Sequence, residues 1–319
     1  MKKKSFYQRM KMPISELEEY YRGRRADAYE GNEPVSGMRW RRILHPLLLL
    51  GLRISRIMTG EKLCVIKDKH VNKGKPLIYA CTHIGGHDVE MAFAAIKSHA
   101  YAFWGDPKSM YRRIEGVLLD LNGAICVDSD YKWDRYIGKE TAIRLLQQGG
   151  SLLIFPEGAW NIIENQVVMP LFSGRVEMAI RAGVEIVPIA MEQYGKKYYV
   201  NIGENMDFDE YDVSRKKEAT DQLRDILCTL KWEIWEQYGK ALRKDIQKGY
   251  ARVFLAHFED YTDEAYTIED IRNTRYHPKT PSPEEAFAFM RTLIPGNGNA
   301  FLLRESARWA EQEQSRKSM

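Results

Sequence analysis

Hydrophobic residues fall into two regimes along this chain. Between residues 62 and 203 they gather in short runs: Leu63–Ile66, Leu77–Cys81, Ala124–Val127, Leu152–Phe155, Ile186–Ala190 and Tyr198–Ile202. Each is too short for a helix and is bounded by glycine, proline or polar residues, the pattern of buried strands. Helical spacing fills several of the gaps, over Val89–Lys97, Ser109–Leu121, Tyr131–Gln148 and Gly174–Arg181, and Gly149-Gly150 stands where a helix stop is expected. Strands separated by helices of this length predict an α/β fold with a mainly parallel sheet flanked by helices. Past Asn205 the pattern becomes amphipathic helix, best over Ala219–Lys244, where Leu223, Ile226, Leu227, Leu230, Ile234 and Trp235 recur at helical spacing. Ser282-Pro283-Glu284-Glu285 has the form of a helix start, and a last helix is predicted from Phe301. The chain thus divides into an N-terminal segment 1–60, an α/β core 61–205 and a helical C-terminal extension 206–319.

The N-terminal segment has its own character. A short helix is predicted over Ser15–Tyr21, followed by a break at Gly31–Pro34. From Met38 to Met58 arginines and Trp40 stand beside Leu44, Leu47–Leu50, Leu52, Ile54 and Ile57. Such an amphipathic segment can lie in a membrane interface, arginines on anionic lipid and leucines at the acyl boundary. A core helix with a basic solvated end fits the same pattern. No run reaches the roughly 18 to 20 apolar residues that span a bilayer.

Charge sharpens this division. Residues 1–60 hold 13 Lys and Arg against 6 Asp and Glu, a balance of +7 in a chain whose net charge is +4, so the remainder is slightly acidic. Beyond the basic N-terminus nothing favours nucleic acid. Cys64, Cys81, Cys126 and Cys228 show no CxxC spacing, which predicts reduced thiols in a cytosolic setting and neither a zinc site nor a disulfide framework. The Met-Lys-Lys-Lys-Ser start lacks a nearby apolar core, which predicts no secretory signal.

Candidate chemistry gathers where two predicted strands end. Leu77–Cys81 delivers His83 at its C-terminal tip; Gly85 and Gly86 permit a tight turn; Asp88 stands at the N-cap position of the next helix. An imidazole held at one nitrogen by a carboxylate can take a proton at the other, the arrangement of a general base. A structural histidine and a simple helix cap are the plainer alternatives. The second cluster is Phe155-Pro156-Glu157-Gly158-Ala159-Trp160, again a strand running into a glycine turn. Ligands of such sheets bind at the carboxyl ends of strands, where both clusters fall. Further on, Gly174–Gly183 and Val184–Ala190 read as helix, glycine stop and a strand containing Pro188.

Taken in order, these blocks resemble the phospholipid/glycerol acyltransferases, of which lysophosphatidate acyltransferase is the familiar type. The family's His, four residues and Asp are matched by His83 and Asp88; its glycine-led strand by Gly123–Ser129; its Phe-Pro-Glu-Gly by Phe155–Gly158; its Val-Pro-Ile/Val strand by Val187-Pro188-Ile189. The similarity covers roughly residues 40 to 205. Two positions depart from the pattern. Ser129 and Trp160 stand where family members commonly carry arginine for the phosphate of the acyl acceptor, while Lys132, Arg135 and Arg175 are near enough in sequence to substitute.

The resemblance implies transfer of a fatty acyl group from acyl-CoA or acyl carrier protein to a hydroxyl or amine of a lipid acceptor. His83 and Asp88 would be catalytic, and Glu157, Gly158, Ser129, Trp160 and Arg175 would bind the acceptor. Backbone N–H groups of the glycine turns would stabilise the oxyanion. No cofactor or metal is implied, and the expected location is peripheral, on the cytoplasmic face of a membrane. Two rivals remain: an inactive protein of the same fold, given Ser129 and Trp160, and a metallohydrolase using His83, His87 and Asp88, whose spacing departs from the His-x-His-x-Asp-His of zinc hydrolases.

Overall fold

The computed structural model describes residues 4–273, apart from 106, 112, 165, 240–243, 245–247 and 263–265, together with 285 and 288. The helices predicted from Ser282 and Phe301 lie outside the described residues. Three helices come first: α1 (Phe6–Lys11), α2 (Ile14–Glu30) and α3 (Met38–Thr59). The core consists of β1 (Lys62–Asp68), β2 (Leu77–Cys81), α4 (Asp88–Ile96), β3 (Tyr101–Gly105), α5 (Ile114–Asn122), β4 (Ala124–Val127), α6 (Lys132–Gln147), β5 (Leu152–Ile154), α7 (Gly174–Ala182), β6 (Glu185–Tyr194) and β7 (Lys197–Ile202). After it come α8 (Lys216–Tyr238), α9 (Tyr250–Glu259) and α10 (Ile268–Asn273).

The strands form one sheet in the order β1-β7-β6-β2-β5-β3-β4. Every pairing is parallel except β6 with β7, a hairpin closed at Gly195. β2 lies in the middle, and all five of its residues are buried. Its side chains alternate between two cores, as the two-residue period of a strand requires. Ile78 and Ala80 join Leu152, Ile154, Leu145 of α6, Met178 of α7 and Leu223 and Leu227 of α8. Leu77, Tyr79 and Cys81 join Leu153, Val187, Ile189 and Met91 and Phe93 of α4. Helices therefore cover both faces, which is why β2 reads as an unbroken apolar run.

The fold departs from the sequence reading at three places. Tyr101–Gly105 pairs between β5 and β4 as a strand, although its short aromatic run gave no clear period. The predicted Ser109–Leu121 helix begins only at Ile114. Finally, α8 packs on the sheet, with Leu223 and Leu227 fully buried, so this part of the C-terminal region completes the core.

α3 has two apolar sides. Leu49 and Leu52 pack against the core and His45 is buried. The opposite stripe, Ile43, Leu47, Leu50, Ile54, Ile57 and Met58, with Trp40, is exposed, up to 82% at Met58. The helix thus packs on the core with one side and leaves an apolar stripe exposed on the other. Among the described residues no helix is long and apolar enough to cross a membrane.

Candidate active site

β2 and β5 are neighbours in the sheet, so their C-terminal ends bring the two predicted clusters together. After Cys81 the chain turns through Gly85 and Gly86, both with positive φ (78° and 63°). This turn folds Asp88 back on His83: His83 Nδ1 lies 2.8 Å from Asp88 Oδ2. The same oxygen accepts the N–H groups of Ile84 at 2.8 Å and Gly85 at 2.9 Å. Asp88 is the first residue of α4, and its carboxylate caps the preceding turn, not the helix, where the sequence had placed it as an N-cap. A carboxylate so placed accepts a proton-bearing Nδ1, which leaves Nε2 with the lone pair. Asp88 is 1% exposed whereas the His83 side chain keeps 15%, so the base is reachable and its partner is not.

The second cluster holds the base from the other side. Phe155 lies against the imidazole with centroids 4.3 Å apart, and Trp160 meets it edge-on at 6.4 Å. Trp160 also fills the space beside Gly85, where an added Cβ would lie 2.8 Å from the indole. Phe258 of α9 and Tyr266 flank the indole in turn. Asn161 donates its N–H to the His83 carbonyl at 2.8 Å, and Glu157 Oε1 accepts the His83 N–H at 2.8 Å. The other Glu157 oxygen accepts the Met169 N–H, also at 2.8 Å. Glu157 is fully buried, with both oxygens committed to backbone, so its carboxylate serves the frame of the site. Burial pushes its pKa up, opposed by Lys231 and the two backbone donors. Gly158 takes a positive φ of 80° in the turn between Glu157 and Trp160.

Two of the expected oxyanion donors are already engaged: the Gly85 N–H by Asp88 and the Gly158 N–H by the Phe155 carbonyl. His87 does not join His83. Its Nδ1 binds Glu61 at 2.8 Å, so the two imidazoles are held by different carboxylates.

Ser129 and Arg175 lie elsewhere along the sheet edge. Ser129 follows β4, three strands from β2, about 14 Å at the usual strand spacing. Arg135 donates to the Ser129 carbonyl, and Arg22 of α2 binds Asp128 at 3.0 Å while stacking 3.7 Å over Tyr131. Arg175 stacks on Phe103 of β3 at 4.3 Å. The structure therefore brings His83, Asp88, Glu157, Gly158 and Trp160 together and leaves Ser129 after β4 and Arg175 on α7 against Phe103 of β3. Sequence reasoning did not single out Lys231, a buried lysine of α8 whose Nζ lies 3.5 Å from Glu192 Oε2. Its signal was present, a lysine between Leu227 and Ile234 on the apolar stripe of a helix.

Residues 62–192 match the family model described as Acyltransferase. Among curated proteins no relative matches the chain. Among solved structures the chain is similar to the crystal structure of the 1-acyl-sn-glycerophosphate (LPA) acyltransferase, PlsC, from Thermotoga maritima. The TM-score is 0.51 at 12% identity, over 70% of this chain and 91% of that one. At that identity the likeness is one of fold.

Proposed function

We propose, from the match of residues 62–192 to the Acyltransferase family model, that the chain moves a fatty acyl group from a thioester, acyl-CoA or acyl carrier protein, to a hydroxyl or amine of a lipid acceptor. The observation that carries this reading is the bond from His83 Nδ1 to the buried Asp88 carboxylate, with the imidazole still open to solvent. His83 Nε2 takes the acceptor proton as the acceptor oxygen or nitrogen bonds to the thioester carbonyl carbon. The tetrahedral intermediate then breaks its C–S bond, and the imidazolium returns the proton to the departing thiolate. Asp88 holds the tautomer and stabilises the imidazolium; a base positioned in this way contributes about 10²- to 10⁴-fold. A thioester is already activated, so the scheme needs neither metal nor cofactor.

Glu157 acts through the backbone of His83. Trp160, beside the imidazole, offers the acceptor an indole face and N–H where a phosphate-binding member of the family would offer a guanidinium. Losing a charge-assisted contact weakens phosphate recognition by roughly 1.5 to 3 kcal/mol. The favoured acceptor is accordingly an uncharged or differently substituted lipid hydroxyl or amine, with lysophosphatidate the poorer substrate. The exposed apolar stripe of α3, with Arg39 and Arg53 on exposed positions of the same helix, supports docking on an anionic surface, read here as the cytoplasmic face of a membrane.

The test is a screen of palmitoyl-CoA and palmitoyl-carrier protein against lysophosphatidate, neutral lysolipids and amine-bearing lysolipids, read by mass spectrometry, with His83→Ala as control. Acylation of a neutral or amine acceptor at least tenfold faster than lysophosphatidate, abolished in His83→Ala, is expected. Undiminished turnover in a folded His83→Ala protein overturns the mechanism. Preferred acylation of lysophosphatidate overturns the acceptor assignment.

A further inference from the structure

α9 lies beyond the part of the chain that matches the family model, yet its end returns to the turn that carries His83 and Asp88. Phe258 is in its last turn, and the Tyr261 N–H donates to the Phe258 carbonyl at 3.0 Å just past it. The two rings rest on adjacent residues of the turn. A Cβ added to Gly85 would lie 3.3 Å from Phe258, and one added to Gly86 would lie 3.2 Å from the Tyr261 ring. Bare backbone is what lets both rings come this close.

Each ring is itself held in place. Phe258 is 3% exposed, packs with Ile162 and with Ile271 of α10, and lies 6.4 Å from the Trp160 indole. Tyr266 meets the same indole at 5.4 Å in a T-shaped pair. Gln193 Nε2 donates to the Tyr261 hydroxyl at 2.9 Å, and the His87 ring lies 5.6 Å from the Tyr261 ring. Gln193 belongs to β6, Gly86 to the turn after β2 and Trp160 to the loop after β5. These strands are neighbours, so the segment from α9 to α10 bridges the carboxyl ends of the three central strands. His83, against Phe155 and Trp160, keeps only 15% of its side chain exposed, a narrow opening for a base that must meet two substrates.

A base that takes a proton from a lipid hydroxyl can take one from water. The water oxygen would then bond to the thioester carbonyl carbon, the C–S bond would break, and His83 would pass the proton to the thiolate, leaving free fatty acid and free thiol. A closed site avoids such side reactions by keeping water from the reacting groups. We propose that Phe258 and Tyr261 are specificity-determining residues of the transfer: seated on Gly85, Gly86 and Trp160, they keep water from the thioester at His83 and reserve it for the lipid acceptor. The proposal rests on the acyl-transfer reading of the site. The cover is suited to this task, since Phe258, Ile162 and Ile271 are apolar and the Tyr261 hydroxyl is engaged by Gln193.

Palmitoyl-CoA supplied without a lipid acceptor reads hydrolysis as release of free thiol. Phe258→Ala and Tyr261→Ala should each release thiol about fivefold faster than the parent or more, and adding His83→Ala should abolish the gain. Val253→Ala, on the exposed side of α9, should leave the rate unchanged. If Phe258→Ala does not fold, Phe258→Leu, which keeps an apolar side chain but removes the ring, decides the matter together with Tyr261→Ala. Thiol release no faster than the parent's in the folded variants overturns the proposal, as does a gain that survives His83→Ala.

Modification of His83 by diethylpyrocarbonate, mapped by mass spectrometry with no thioester present, separates this from failure of the acyl-transfer reading. His83 should be modified about threefold faster or more in Phe258→Ala and Tyr261→Ala than in the parent. Unchanged modification in the folded variants overturns the proposal and leaves the acyl-transfer reading standing. Faster modification with no thiol release from the parent or any variant overturns that reading, and the role assigned to the cover with it.

Discussion

Replacing Asp88 by Asn keeps the shape of the side chain and removes its charge. Three donors converge on Asp88 Oδ2: the His83 imidazole and the N–H groups of Ile84 and Gly85. The asparagine oxygen must take that position, because an NH₂ there would face all three. Its amide nitrogen then falls at the site of Oδ1, which is buried and has no hydrogen-bond partner among the described residues. Burying that donor unsatisfied costs about 1 to 3 kcal/mol of stability. The chemical step loses more selectively, since only the carboxylate stabilises the imidazolium that forms when His83 takes the proton. A bond to a charged group is worth about 1.5 to 3 kcal/mol against about 0.5 to 1.5 for a neutral one. Adding loss of the buried ion pair brings the difference to about 3 to 4 kcal/mol, or a fall in kcat of the order of 10² to 10³. KM for the acceptor should stay within about threefold, because Asp88 is too buried to touch it. Steady-state acyl transfer, with circular dichroism to establish folding, reads both quantities. A folded Asp88→Asn protein within tenfold of the parent kcat would refute the argument that this carboxylate makes His83 a base.

Gly85→Ala meets two penalties at once, a φ of +78° and a Cβ 2.8 Å from Trp160; about 2 to 4 kcal/mol of stability should be lost in urea unfolding, with activity falling as the turn under Asp88 shifts. Charge placed on the exposed stripe of α3, as in Leu47→Glu with Ile54→Glu, should weaken sedimentation with anionic vesicles at least tenfold while leaving the melting temperature within about 2 °C, since both residues are exposed. Binding indifferent to these changes and to salt would remove α3 from the membrane. Burial beneath α3 lowers the pKa of both His45 and His99; each lends stability above the ordinary histidine value that is lost as pH falls through it. The melting temperature should therefore drop from pH 7 to pH 5, and His45→Gln, which can keep a hydrogen bond to Asn122, should flatten that drop.

The unbroken apolar run Leu77–Cys81 announced a strand covered on both faces, and its abrupt end at Thr82-His83 placed a polar tip at the carboxyl edge of the sheet. Both readings needed only local information, the period of the side chains and the change to glycine. His83 and Asp88 were legible for the same reason, because five residues and two glycines close the turn without help from the rest of the chain. Glu157 was legible as a strand-tip residue. Its task was not, since bonds to the N–H groups of His83 and Met169 exist only when β5 lies beside β2.

Strand order was beyond any local reading. β5 enters between β2 and β3 although α4, β3, α5, β4 and α6 intervene in sequence, and that insertion is settled by which pairing buries both cores at once. It carries Trp160 to the base and sets Ser129 about 14 Å away, a separation absent from the spacing of the motifs. The direction of α3 was equally open, because an amphipathic sequence specifies two faces and not which one finds the core. Lys231 shows the limit most plainly: a helical wheel sets it among leucines, but only the packed sheet brings Glu192 of β6 within 3.5 Å of its ammonium.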